Sequence, residues 1–338
     1  MIRENLFVIL AILAAVLLLA ACGGDDADSV QGGEAAGISV ENCSTTTGED
    51  SQGAFPVSSH TYTEAPSRAV TMNQHTTELM LTLGLQDRMA GTAYIDDFIL
   101  PELKEAYDSV SVLADEYPSK EVILGSETDF IYAGFASAFR ETAAGPQADL
   151  ADLGIPSYLT LAMCKEEADS IQDIYDDIAN ISRIFEVTER GEALIASMKK
   201  DIESVTSKVD PSGTPIRAFL YDSGDDAPYT SVCCSMFTNL VELASAKNIF
   251  DDVDGRWATV NWEEVIERDP EAIVLIEAVW STAQEKMDFL TTNEALADIT
   301  AVKKQRFVTI NFSSIVPGIR NPEAIRTLAE GIYPESFR

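Results

Sequence analysis

The run TERGEALIASMKKDIESVTSKV, residues 188–209, reads as one long amphipathic helix. Leu194, Ile195, Met198, Ile202, Val205 and Val209 recur at the i, i+3/i+4, i+7 spacing that puts apolar side chains on one helical face. Thr188 is the expected N-cap, Glu189 and Glu192 suit the positive end of the helix, and Lys199, Lys200 and Lys208 follow toward its other end. Val209-Asp210-Pro211-Ser212-Gly213 stops it, because proline cannot continue the hydrogen-bond ladder. At ~1.5 Å per residue such a helix spans about 33 Å, close to the diameter of a small domain. A rod of that length between two stretches of alternating character acts as a spine.

On both sides of the spine, short β-rich runs alternate with helical ones. Before it, strands are predicted at 69–72, 89–94, 110–113, 130–132 and 157–161, with helices at 76–83, 101–107, 119–124, 139–153 and 171–185. After it, strands at 216–221, 273–276 and 307–310 alternate with helices at 237–244, 263–267 and 322–332. Helix–strand alternation predicts an α/β chain: two Rossmann-like lobes with mainly parallel sheets, joined by one long rigid helix, with a ligand cleft between lobes at the carboxyl ends of the strands. The expected division is a signal peptide over 1–21, a lipidated cysteine and flexible tether over 22–65, and an N-terminal lobe over 66–165. Connecting helices cover 166–212 and a C-terminal lobe covers 213–338. At 338 residues and 46% apolar content the chain can fill two cores.

The amino terminus carries Arg3 and then an unbroken apolar run from Leu6 to Ala21, too short for a membrane span and ended by small residues, which predicts cleavage. Leu19-Ala20-Ala21-Cys22 resembles the lipobox of bacterial lipoproteins, and that resemblance implies lipid on Cys22. Several acyl chains on one residue make a stable anchor. The Gly, Ala, Asp and Glu composition after Cys22 buries too little to fold by itself. The formal charge of −33 is unchanged by loss of the leader, which contains one base and one acid. Such a field repels nucleic acid and anionic lipid heads.

The lobes repeat one pair of segments. Ser119-Lys120-Glu121 leads through a helix to Asp129-Phe130-Ile131, and Asn261-Trp262-Glu263 leads to Glu271-Ala272-Ile273, every counterpart offset by 142 positions. With Thr77-Glu78-Leu79 before Leu83-Gly84, Pro118-Ser119-Lys120-Glu121 before Thr128-Asp129-Phe130-Ile131, the spine, and Trp257 six residues ahead of Glu263, residues 66–335 resemble the substrate-binding proteins of ABC importers for iron complexes and cobalamin. The resemblance implies the helical-backbone class: two lobes on one rigid helix, small closure on ligand, and one surface glutamate per lobe, here Glu121 and Glu263, that docks to arginines of a permease dimer. It implies that aromatics matching Tyr94, Tyr229 and Trp257 face the ligand, and that Arg320 holds an anionic group.

From the residues themselves, His75, Tyr94, Tyr117, Phe135, Tyr229 and Trp257 fall in loops, several of them after predicted strands, where rings can cover a flat ligand at low entropic cost. His75 also suits a helix cap, and Arg320 a surface ion pair. Four cysteines remain beyond Cys22, and Cys43, Cys164, Cys233 and Cys234 allow three complete pairings. Cys43 with Cys164 is favoured, since neighbouring cysteines bond each other rarely. The chain has no HExxH, GxSxG, P-loop or GxGxxG motif and only two histidines, so neither catalysis nor a cofactor or resident metal is expected. The leading expectation is a lipid-anchored extracytoplasmic protein that captures a metal chelate, a ferric siderophore or a cobalamin-like corrinoid, for an ABC importer. A membrane-tethered sensor or adhesion module on the same fold is the alternative, followed by a chelatase-like enzyme.

Overall fold

The computed structural model describes residues 37–45, 55–165, 167–209 and 213–338. The expected signal peptide, Cys22 and the first part of the expected tether lie outside them.

Thirteen strands are described: β1 (Ile38–Cys43), β2 (Val57–Tyr62), β3 (Ala69–Met72), β4 (Met89–Ala93), β5 (Val112–Ala114), β6 (Phe130–Ala133), β7 (Ser157–Leu159), β8 (Ile216–Tyr221), β9 (Tyr229–Ser231), β10 (Ala246–Asn248), β11 (Trp257–Thr259), β12 (Ala272–Glu277) and β13 (Phe307–Asn311). The N-terminal lobe is built on a parallel sheet in the order β5-β4-β3-β6-β7, and the C-terminal lobe on a parallel sheet β10-β8-β12-β13. The fold is α/β with two parallel-sheet lobes. Central strands read as nearly continuous apolar runs, AVTM, FIYA and AIVLIE, because helices cover both faces of each sheet.

The spine is a helix over Thr188–Thr206. It begins at Thr188 rather than being capped by it, with Val187 in the preceding position and no side-chain cap. Met198, Ile202 and Val205 are buried, and the helix packs against Ile171–Ile184 on one side and the last long helix, Asn321–Ile332, on the other. The approach to Ile171–Ile184 is close enough that a Cβ on Gly191 would overlap the Ser182 side chain. A single buried cluster runs from Tyr132 and Tyr158 through Ile178, Met198 and Val205 to Leu220, Val274 and Ile325. Both lobes share that core.

Two of the expected segments take another form, and β9, β10 and β11 have no counterpart among the expected strands. Part of the expected tether pairs as an antiparallel ribbon, β1 with β2. It is held because Val40, Cys43 and Tyr62 are buried, Cys43 is bonded to Cys164, and the Asn42 amide both donates to and accepts from the backbone of Leu159 (2.7 and 3.0 Å). The helix expected over 139–153 is a 3₁₀ turn, Ala136–Phe139, and a separate helix, Gln147–Asp152. Gly145, with φ +89°, and Pro146 interrupt it. Cys233 and Cys234 are also bonded to each other, which differs from the expectation that neighbours stay apart.

Helix Ile171–Ile184 starts in a capping box, Ser170 with Asp173, and carries Asp177 into the protein. Asp177 is buried and accepts from the Tyr158 hydroxyl (2.8 Å) and the Leu161 amide (3.1 Å). Burial outweighs these donors and pushes its carboxyl up to about 8. A carboxyl raised in the folded state contributes stability that is complete below its unfolded value near ~4 and is lost as pH rises through the folded value. Asp177→Asn keeps an acceptor for Tyr158 without the titration. The variant's melting temperature is therefore expected to gain steadily on the parent's between about pH 5 and pH 8; parallel melting curves across that range would show that Asp177 is ionised throughout.

Candidate functional site

Parallel strands of both lobes end at one cleft of about 580 Å³. Its N-terminal wall is made of residues that directly follow strands: Asn73 after β3, Tyr94 after β4, Tyr117 just beyond β5 and Phe135 after β6. The opposite wall has Trp280, beyond the end of β12, and Phe312, after β13. This is where an open α/β sheet places its ligands, because loops there are free of the packing that strands impose.

Two of the seven non-glycine residues with positive φ among the described residues lie in this wall. Asn73 and Tyr94 have φ of +87° and +58°, in the left-handed region that bulky residues avoid. The turn is stabilised by the Asn73 amide proton, which bonds the Ala93 carbonyl (3.0 Å). The Asn73 side chain donates to the Tyr117 hydroxyl (3.0 Å), which also lies 3.1 Å from the Ser137 hydroxyl. Tyr94 and Tyr117 then meet with ring centroids 4.5 Å apart, tilted by 33°. Across the cleft Trp280 meets Phe312 edge to face at 5.1 Å.

Trp280 is half exposed and Val279 beside it is 82% exposed, an unusual presentation for two large apolar side chains. They form the tip of a turn closed by reciprocal bonds between Ala278 and Ser281 (3.3 and 3.2 Å). Beneath it the buried Lys286 ammonium donates to the carbonyls of Ile276 and Ser281, each at 2.7 Å. Burial lowers its pKa, and the nearby carboxylates of Asp222, Glu277 and Glu285 oppose the shift. Lys286→Met leaves those two carbonyls and buried Asp222 without their cation. At ~1–3 kcal/mol for each stranded group, it should lower the free energy of urea unfolding by about 2 kcal/mol or more and shift Trp280 emission. Unchanged unfolding and emission would mean that the turn supports itself.

Most of the lining side chains carry a polar group, with Asn73, Ser137 and Thr142 set among the rings. Asp96 and Glu116 line it, with Arg140 the one basic side chain among the described lining residues. Neither carboxylate has an ion-pair partner among the described residues, and burial together with neighbouring Asp97 lifts Asp96 to about 6. No three His, Cys, Asp or Glu side chains converge as metal ligands among the described residues.

Of the residues singled out in the sequence, Tyr94, Tyr117 and Phe135 share this cleft. His75 is buried behind it, edge-on to Phe135 at 5.3 Å, so close to Gly134 that a Cβ there would overlap the imidazole. Burial holds His75 down at about 4, and its Nδ1 has no partner among the described residues, so it is a neutral packing group at pH 7. Tyr229 and Trp257 stack on each other (5.4 Å, 18°) on the β9–β11 ribbon and do not line this cleft. Arg320 is buried and bonded to Glu78 and to the Phe98 carbonyl, not turned toward the cleft aromatics. Glu121 and Glu263 are exposed in the first turns of helices Lys120–Gly125 and Trp262–Arg268. A bond from Ser119 holds the Glu121 carboxyl below its ordinary value. Trp280 and Phe312 escaped the sequence reading although each follows a predicted strand, the pattern that had identified Tyr94.

The Periplasmic binding protein family model matches residues 70–313. A periplasmic binding protein from Veillonella parvula superposes with a TM-score of 0.79 at 32% identity, covering 88% of this chain and 99% of that one. The uncharacterised ABC transporter substrate-binding lipoprotein YvrC of Bacillus subtilis is 25% identical over 335 residues, 97% of each chain. A vitamin B12-binding protein of Pectobacterium atrosepticum is 26% identical over 211 residues, 62% of this chain and 71% of its own. These matches are to binding proteins, not enzymes, and they span both lobes and the cleft. The chain belongs to the periplasmic binding protein family, the substrate-binding components of ABC transporters.

Proposed function

We propose that this protein is anchored through lipid on Cys22 at the outer face of the cell membrane, captures a metal chelate there and delivers it to an ABC importer. The ligand is a ferric siderophore or a cobalamin-like corrinoid. No helix among the described residues is long and apolar enough to cross a membrane, so anchoring rests on the lipobox-like sequence. The observation that carries the ligand reading is the pair of facing aromatic walls, Tyr94, Tyr117 and Phe135 against Trp280 and Phe312, in a cleft of about 580 Å³. Rings of this kind contact the organic shell of a chelate. Two carboxylates against one guanidinium disfavour a polyanionic ligand.

Titration calorimetry with a corrinoid, a neutral ferric trihydroxamate and a trianionic ferric tricatecholate tests it. One of the first two should bind, and the tricatecholate should bind more weakly. Loss of an aromatic contact worth ~1.4 kcal/mol predicts that Trp280→Ala weakens the bound chelate about tenfold. Failure of all three to bind, or equal affinity in the variant, would overturn this reading.

Docking to the permease dimer is assigned to Glu121 and Glu263. They occupy equivalent positions on the repeated segments, and each has exposed apolar neighbours, Val122 and Leu124 in one lobe and Ile266 in the other. Glu264 is the control, since its amide is the one bonded by the N-cap Asn261 (2.7 Å). Glu121→Ala with Glu263→Ala should bind ligand normally and fail to stimulate the ATPase of the reconstituted importer, while Glu264→Ala stimulates it. Equal stimulation by all three proteins would reduce both glutamates to partners of their own helix dipoles.

A further inference from the structure

Glu78 and Arg320 are 242 positions apart in the chain, yet form a buried pair, with side chains 1% and 5% exposed. The contact is two-pronged: Nε donates to one carboxylate oxygen (2.8 Å) and an Nη to the other (2.5 Å). That same Nη donates to the Phe98 carbonyl (2.6 Å), and the guanidinium lies 5.3 Å from the centre of the Phe98 ring. Glu78 also accepts from the Leu100 amide (3.1 Å). Gln74, one turn earlier on the same helix, accepts from the Asp97 amide (2.8 Å) and donates to the Phe98 carbonyl (2.9 Å). From the other lobe, the Ser313 hydroxyl donates to the Asp97 carboxylate (2.9 Å).

Residues 97–100 are thus a strap gripped from both lobes. At one end it continues directly into Asp96 and Tyr94 of the cleft, and its partner Ser313 adjoins Phe312 of the facing wall. A carboxylate this deep is retained only with its cation and its full set of donors, and a planar fork fixes direction as well as distance. We propose that Glu78 and Arg320 are positioning residues for the ligand cleft: their pairing locks the 97–100 strap to both lobes and sets the separation of the Tyr94 wall from the Trp280–Phe312 wall. Neither side chain touches ligand. The dependence of ligand affinity on them rests on the chelate-binding reading, whereas the dependence of wall separation does not.

Two measurements separate these parts. The first is the distance between spin labels on exposed residues of opposite lobes, at Asp152→Cys and Glu294→Cys, in the ligand-free protein. The double variant Glu78→Met/Arg320→Met removes both charges while keeping apolar volume, so it should remain folded. Its distance distribution should broaden or shift while its melting temperature stays near the parent's. Arg320→Lys, which keeps the charge and loses the fork, should not restore the parent distribution. The second is the dissociation rate of the neutral ferric trihydroxamate or the corrinoid, whichever the parent binds. Glu78→Gln and Arg320→Met should each accelerate it at least tenfold, and the double variant no more than either alone.

A parent-like distance distribution in the folded double variant overturns the proposal. So does an effect of Arg320→Met with none from Glu78→Gln, because that pattern belongs to an arginine that holds the ligand itself. If the distances change but the parent binds neither probe, the chelate reading falls and the interlobe lock stands.

Discussion

Everything in this molecule hangs on the burial of one helical stripe. Met198, Ile202 and Val205 are wedged between helices Ile171–Ile184 and Asn321–Ile332, and through them the apolar interior passes from one sheet to the other. Two lobes joined only by a loop would turn freely, since interfaces between domains are usually small and polar. Here the joint is itself part of one buried core that continues into both lobes, and close-packed interiors resist continuous deformation. The cleft walls therefore stand on a common foundation.

Polar clasps complete that joint where hydrophobic packing cannot fix direction. Glu78 and Arg320 grip one strap between the lobes. Arg256 forms a second crossing: its guanidinium donates to the carbonyls of Ala162 (2.7 Å) and Lys165 (3.0 Å) and pairs with Asp169 (3.0 Å). Those carbonyls flank Cys164, which is bonded to Cys43 of the β1–β2 ribbon, so that loop is held from two sides. Burial pulls the Asp169 carboxyl up to about 6 against the lowering effect of Arg256. Apolar contact supplies most of the driving force for folding, while the charged forks select one arrangement of the lobes.

The cleft sits where regular structure stops. The strands end in a row, and the residues immediately after them, Asn73, Tyr94, Phe135 and Phe312, belong to the cleft. Two of them hold positive φ at non-glycine positions, a local cost offset by the sheets and by bonds such as Asn73 to Tyr117. On the other wall, a buried ammonium supports a turn whose tip carries Val279 and Trp280 into solvent. A packed scaffold below and part-exposed rings above form a surface that would need little ordering to bind a ligand.

The amino-acid sequence alone determined the parts governed by local periodicity. The apolar stripe of the spine, the fully buried runs of β3, β6 and β12, and the position of Tyr94 and Phe135 after strands follow from spacing within a few residues. Tertiary structure decided whatever depends on partners far along the chain. Residues 38–43 look like tether because only some of them are apolar; the buried faces of Tyr62 and Cys164 make them a strand. Arg320 looks like a cation awaiting an anion, and a glutamate 242 positions away claims it. Tyr229 and Trp257 satisfy each other across a two-stranded ribbon, while Trp280 reaches the cleft from a turn that carries no periodic signal. A side chain's neighbours within one turn are encoded in its own segment, but its contacts across the fold exist only once distant segments have packed.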